Sequence, residues 1–133
     1  MNFFKLNEFF PHCSLKEIND VAGSPQMSAN LYQLWGLLNL LRMALNAPIV
    51  INSGYRDREH NRRVGGVATS QHLRMEAVDV TCHTPQLTEK LAMMIAFDLA
   101  SDRVGQVIYY KNRNFIHIAL PCEKYPTRYF SEK

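Results

Sequence analysis

The sequence predicts a single α+β domain in which a small, mainly antiparallel sheet packs with helices. Three observations carry this: two segments with apolar residues at spacings of three and four, short β-branched or alternating runs between them, and a final pair of such runs around a polar turn. With 133 residues, 47% of them apolar, the chain is long enough to bury a core without disulfides or a structural metal. No internal repeat, low-complexity tract or Pro/Gly-rich linker interrupts it, so residues 1–133 read as one domain.

The elements follow in order. Near the N-terminus, "SLKEINDV" places Ser14 and Glu17 at capping-box spacing, which predicts a short helix. From Ala29 to Leu45, the residues Leu31, Leu34, Trp35, Leu38, Leu41 and Leu45 form a helical stripe. That stripe reads as core rather than a ligand box, because burying it is what stabilises such a helix. "APIVINSGYR" is a short strand stopped by Ser53 and Gly54, and "RDREHNRRV" is a short helix with Asp57 near its start and Gly65-Gly66 at its end. In "EAVDVTC", Ala77, Asp79 and Thr81 alternate with Val78, Val80 and Cys82, so Asp79 projects from the face opposite the valines. A second long helix starts at Thr84-Pro85 and carries Leu87, Leu91, Met94, Ile95 and Leu99 at helical spacing. Finally "VGQVIYYKNRNFIHIAL" gives two strands around "KNRN", with His117 on the face opposite Ile116 and Ile118.

Composition narrows the function classes. Fifteen basic against twelve acidic residues leave +3, and Asp57 and Glu59 interrupt the one basic run, Arg56 to Arg63, so nucleic-acid binding is not indicated. Cys13, Cys82 and Cys122 are odd in number and scattered, unlike a secreted disulfide framework. "MNFFKLNEFF" lacks a signal-peptide pattern, and no apolar stretch approaches the roughly twenty residues of a membrane span. The expectation is a protein made in the cytoplasm without a signal peptide.

Chemistry concentrates between Ile51 and Val80 and at His117. His72 follows a glycine-containing loop and precedes Asp79 by seven residues, and His117 supplies a second imidazole from another strand. Two histidines and a carboxylate suit zinc and leave a fourth position open, as in catalytic rather than structural sites. Surface histidines and aspartates are common, so the spacing alone leaves a polar surface turn as the alternative. His60, and His12 beside Cys13, read as local packing. Cys82 and His83 are a poor nucleophile and base pair, because neighbours on a strand point to opposite faces.

Five segments occur together in order: "SGYR" at Ser53 to Arg56, "HNRRVGG" at His60 to Gly66, "SQH" at Ser70 to His72, "EAVD" at Glu76 to Asp79 and "FIHI" at Phe115 to Ile118. In this the chain resembles the zinc D-alanyl-D-alanine peptidases, which include bacterial D-Ala-D-Ala carboxypeptidases and dipeptidases and phage L-alanyl-D-glutamate endolysins, with a hedgehog-like α+β fold. The likeness runs from about Phe4 to about Leu120 and is nearest to short phage or prophage members. It implies that His72, Asp79 and His117 hold zinc, that Arg56 polarises or anchors substrate near the scissile carbonyl, and that Ser70 and Gln71 support the first ligand and line the cleft. A surface salt bridge to Asp57 or Glu59 is the plainer role for Arg56.

Two positions depart from the family pattern. Met75 stands where a glycine is common, three residues after the first histidine, and implies a reshaped cleft wall or a different local backbone. Asn114 stands where many members have a glutamate, three residues before the last histidine. An asparagine orients water but does not take its proton. Glu76, His83 and Glu123 are other candidates for the base.

The resemblance implies a zinc peptidase acting on a peptidoglycan peptide, as a D-Ala-D-Ala carboxypeptidase or an endolysin-like endopeptidase, after release or as part of a phage particle. The alternatives are a metal-binding but catalytically inactive structural or wall-binding module, and a hydrolase of non-wall peptides.

Overall fold

A computed structural model describes residues 2–97 and 102–133. The helices are α1 (Leu15–Ala22), α2 (Pro25–Leu45), α3 (Arg58–Arg63) and α4 (Pro85–Phe97). The strands are β1 (Val50–Ser53), β2 (Ala77–Thr81), β3 (Gln106–Tyr110), β4 (Phe115–Ala119) and β5 (Tyr129–Glu132). The sheet runs β1-β2-β4-β3-β5, antiparallel throughout except for the parallel pair β3 and β5. The α+β class is as the sequence predicts; β5 is an additional edge strand.

Local chemistry sets the helix ends. Ser14 Oγ accepts the Glu17 N–H and Glu17 Oε1 accepts the Ser14 N–H, closing the capping box of α1. α2 begins at Pro25, four residues before the predicted start at Ala29, because Ser24 caps the Met27 N–H and Pro25 occupies the first turn, where its missing N–H costs nothing. Asp57 caps α3 through the His60 N–H, and Gly65, at φ 75°, follows its end. Thr84 Oγ1 accepts the Leu87 N–H at the start of α4; Leu99 lies outside the described residues.

Alternation divides the sheet into two faces. Val78, Val80, Ile116, Ile118, Val107 and Tyr109 are buried in one core with Leu34, Leu37, Leu38 and Leu41 of α2 and Leu91 and Ile95 of α4. Trp35 is only partly buried, resting against Phe9 while its indole N–H donates to Asn2 Oδ1. The opposite face presents Asp79, His117 and Ile108 on one rung across β2, β4 and β3. No helix among the described residues is long and apolar enough to cross a membrane.

Candidate metal centre

The pairing of β2 with β4 puts Asp79 directly opposite His117, and His117 Nδ1 stands 3.0 Å from Asp79 Oδ1. His72 arrives from outside the sheet, on a 3-10 turn spanning Gln71–Arg74 whose first N–H groups include one accepted by Ser70 Oγ. Its Nδ1 lies 2.7 Å from the Gly54 carbonyl, which accepts a hydrogen bond only if Nδ1 carries the proton. That bond fixes the orientation of the ring and leaves Nε2 facing Asp79 Oδ1 at 3.3 Å. The nitrogens and the carboxylate oxygen all lie within 4.8 Å of one another. His72 is buried, and the other two are partly buried.

Burial pushes the Asp79 carboxyl up, but hydrogen bonds from His117 and His72, and their charge, outweigh it and hold the group well below the usual carboxylate range. A low-lying carboxylate is ionised, as a metal ligand must be. The second oxygen, Oδ2, faces Arg56 Nη2 at 3.8 Å. Arg56 is itself only 8% exposed: Nε donates to Ser53 Oγ, Nη1 donates to Asn61 Oδ1, and its backbone N–H donates to the His72 carbonyl. Its ion-pair partner is therefore Asp79, with neither Asp57 nor Glu59 within reach. Gly66 closes over the Arg56–Asn61 hydrogen bond so tightly that a Cβ there would collide with Asn61 Oδ1 and Arg56 Nη1.

A cleft of about 440 Å³ has His117, Ser70, Gln71, Ile108 and Tyr110 in its walls. A larger cleft of about 1160 Å³, between α1 and the loop after α3, is lined by none of the three ligand-type residues, whereas His117 opens onto the smaller one. Gln71 also donates to the Leu120 carbonyl, tying the His72 turn to the end of β4.

Met75 takes the left-handed conformation, φ 55°, with its side chain fully buried in the core, and it forms no part of the cleft wall. Asn114 is left-handed too, at φ 53°. Its Nδ2 donates to the Cys82 carbonyl at 3.5 Å, while its buried Oδ1 has no partner among the described residues. Glu76 is engaged by Arg74 and Gln71, and His83 and Glu123 are exposed. Cys82 is buried while His83 points to solvent, so no cysteine and histidine pair forms there.

A second group, Cys13, Glu17 and His60, also brings ligand-type atoms together. Here the donors and acceptors are already used by the fold. Glu17 Oε2 meets His60 Nδ1 at 2.8 Å and accepts the Asp57 N–H, Oε1 accepts the Ser14 N–H, and Cys13 Sγ donates to the Tyr55 carbonyl. Burial and the neighbouring Glu17 push the Cys13 thiol up to about 12, so it stays protonated. This is a buried polar knot joining α1 to α3. His60 is packed, as its sequence context suggested, but against a partner 43 residues away that no local pattern reveals.

A family model described as Peptidase M15 matches residues 2–119. The chain belongs to the peptidase M15 family. No curated protein matches it. For this M15 peptidase, all three ligand-type residues, Arg56, Ser70, Gln71, Met75 and Asn114 lie inside the matched stretch, whereas β5 and the segment leading to it lie beyond.

Proposed function

We propose that this M15 peptidase is a zinc enzyme that hydrolyses a peptide bond in the stem or cross-link of bacterial peptidoglycan, as a carboxypeptidase or an endolysin-like endopeptidase of phage or prophage type. The observation that carries the reading is the convergence of His72 Nε2, Asp79 Oδ1 and His117 Nδ1 beside a cleft, with Arg56 on the free oxygen of Asp79. Two imidazole nitrogens and one carboxylate oxygen fit zinc, and the Gly54 carbonyl behind His72 is the kind of outer partner that orients a ligand. When bound, zinc supplies Lewis acidity, making a water a better nucleophile at neutral pH and polarising a carbonyl.

The chain's own groups do the rest. Arg56, held rigid by Ser53 and Asn61, offers a guanidinium to the carbonyl oxygen, which gains charge as the nucleophile adds. Ser70 fixes the His72 turn, and with Gln71 it borders the bound peptide. Asn114, at the position where the resemblance places a base, removes no proton, and its Oδ1 is buried without a partner. That missing base also supports a second reading, a metal-binding wall module without turnover.

Metal content tests the proposal. The full chain, chelated and reloaded with zinc, is expected to retain about one equivalent per chain, as a site with one open position requires, and His72→Ala and His117→Ala are each expected to lose it. Metal unaffected by both substitutions sinks the zinc reading. Release of peptides from muropeptides then separates enzyme from silent module.

A further inference from the structure

We propose that Lys124 and Lys133 form a carboxylate-binding subsite in the cleft, selecting acidic peptides; this rests on the peptidase reading of the cluster at His72. The residues after 119 lie outside the family match, yet they build one side of the cleft that has His117 in its wall, contributing Cys122, Lys124, Tyr125 and Lys133.

This wall is fixed in place. β5 pairs in parallel with β3, the Tyr129 N–H donates to the Gly105 carbonyl, and the Lys133 N–H donates to the Tyr109 carbonyl. Phe130 packs on the core, and Arg128 donates to the Ile95 carbonyl at the end of α4. Between the strands, the Cys122 N–H donates to the Tyr125 carbonyl and closes a turn that presents Lys124.

The charge is one-sided. Arg74, Lys124 and Lys133 line the cleft and no aspartate or glutamate does. Arg74 is already paired with Glu76 at 3.0 Å. Among the described residues neither lysine has a carboxylate within ion-pair distance, although Glu123 and Glu132 adjoin them in sequence. Instead the Lys124 ammonium lies 5.4 Å from the ring centre of Tyr125, and that of Lys133 lies 5.8 Å from that of Tyr110. Two ammonium groups laid over aromatic walls of a concave site focus a positive field on whatever enters.

Position defines the ligand further. β5 lies two strand spacings from β4, roughly 10 Å, which is about three residues of extended peptide from His117. The favoured substrate therefore carries a free carboxylate two or three residues from the bond that is cut, rather than at that bond.

The test uses one stem pentapeptide in two forms, L-Ala-γ-D-Glu-L-Lys-D-Ala-D-Ala with a free glutamate α-carboxylate and the same peptide with that group amidated. Calorimetry on the full chain after chelation is expected to show the acid binding about tenfold more tightly than the amide, the size of one charge-assisted contact. In the Lys124→Gln/Lys133→Gln double variant, with its melting temperature checked, that preference disappears. On the zinc-loaded protein the same variant raises KM for the acid and leaves kcat unchanged. Equal binding of acid and amide by the wild type, or a preference that survives the double substitution, overturns the subsite. If the preference is present but the loaded wild type cleaves neither peptide nor any muropeptide, the peptidase reading falls and the subsite stands.

Discussion

Arg56 and Asp79 form an ion pair in which each keeps a second allegiance. Asp79 turns Oδ2 toward Arg56 Nη2 at 3.8 Å while its Oδ1 faces both imidazoles, and Arg56 is anchored from behind by Ser53 and Asn61. The guanidinium is thus held beside the ligand cluster without being part of it.

Replacing Arg56 separates these roles. Arg56→Ala is expected to retain zinc but lose about 10²-fold or more in kcat, the range found when one preorganised donor to a developing oxyanion is removed. Arg56→Lys keeps the charge but not the fork that engages Ser53 and Asn61 together, so it recovers only part of the loss. Zinc content alongside kcat on a muropeptide checks both; zinc lost with Arg56→Ala makes the residue a support of the ligands instead.

Met75 sets two costs against each other. Its φ of 55° costs roughly 1 kcal/mol that glycine would not incur, but its fully buried side chain fills core space worth about 2–5 kcal/mol on truncation. The cavity wins. Met75→Gly is therefore expected to lower stability by roughly 1–4 kcal/mol while leaving zinc affinity near wild type, as read from denaturant midpoints and metal titration.

Glu17 gives a pH signature. Burial pushes its carboxyl up, but the Ser14 N–H, His60 and the Asp57 N–H outweigh burial and hold it below its ordinary value. A folded pKa below the unfolded value, about 4.3, means the stabilisation is present above that pH and is lost as pH falls through the folded value. Glu17→Gln, which keeps the shape but not the charge, is expected to cost about 1–3 kcal/mol at pH 7. The gap between variant and wild type should narrow as pH drops below about 4, in unfolding curves recorded across the acid range.

Asn114 is where activity can be gained. Aspartate tolerates the left-handed backbone that Asn114 adopts, and it places an ionisable oxygen where the unpartnered Oδ1 now sits. Asn114→Asp is expected to raise kcat at neutral pH at least about tenfold, a fraction of what a positioned base supplies. The measurement is kcat/KM against pH on the loaded protein. An unchanged rate assigns the base elsewhere.

Much of this was legible because the decisive patterns are local. The stripe from Leu31 to Leu45 appears as part of α2, and the alternation around Asp79 and His117 assigns both to the face away from the core. What escaped is nonlocal or brief. β5 is four residues long and pairs in parallel with a strand that starts 23 positions earlier, so nothing near Tyr129 announces it. The Ser24-Pro25 start of α2 was written in the sequence but precedes the apolar stripe that marked the helix. The Glu17 and His60 pair spans 43 positions, and only the folded backbone brings it together.

The pairing of Asp79 with His117 across β2 and β4 has one more consequence. Side chains alternate along strands, so sliding either strand by one residue turns its own group, Asp79 or His117, into the apolar interior and exposes an apolar neighbour such as Val78 or Ile118 in its place. Only one alignment offers both to the same ion. A metal that binds that alignment alone adds about 4 kcal/mol to it at a thousandfold excess over Kd. An ion held there would proofread the sheet: a misthreaded chain would forfeit the proposed chemistry and that stabilisation together.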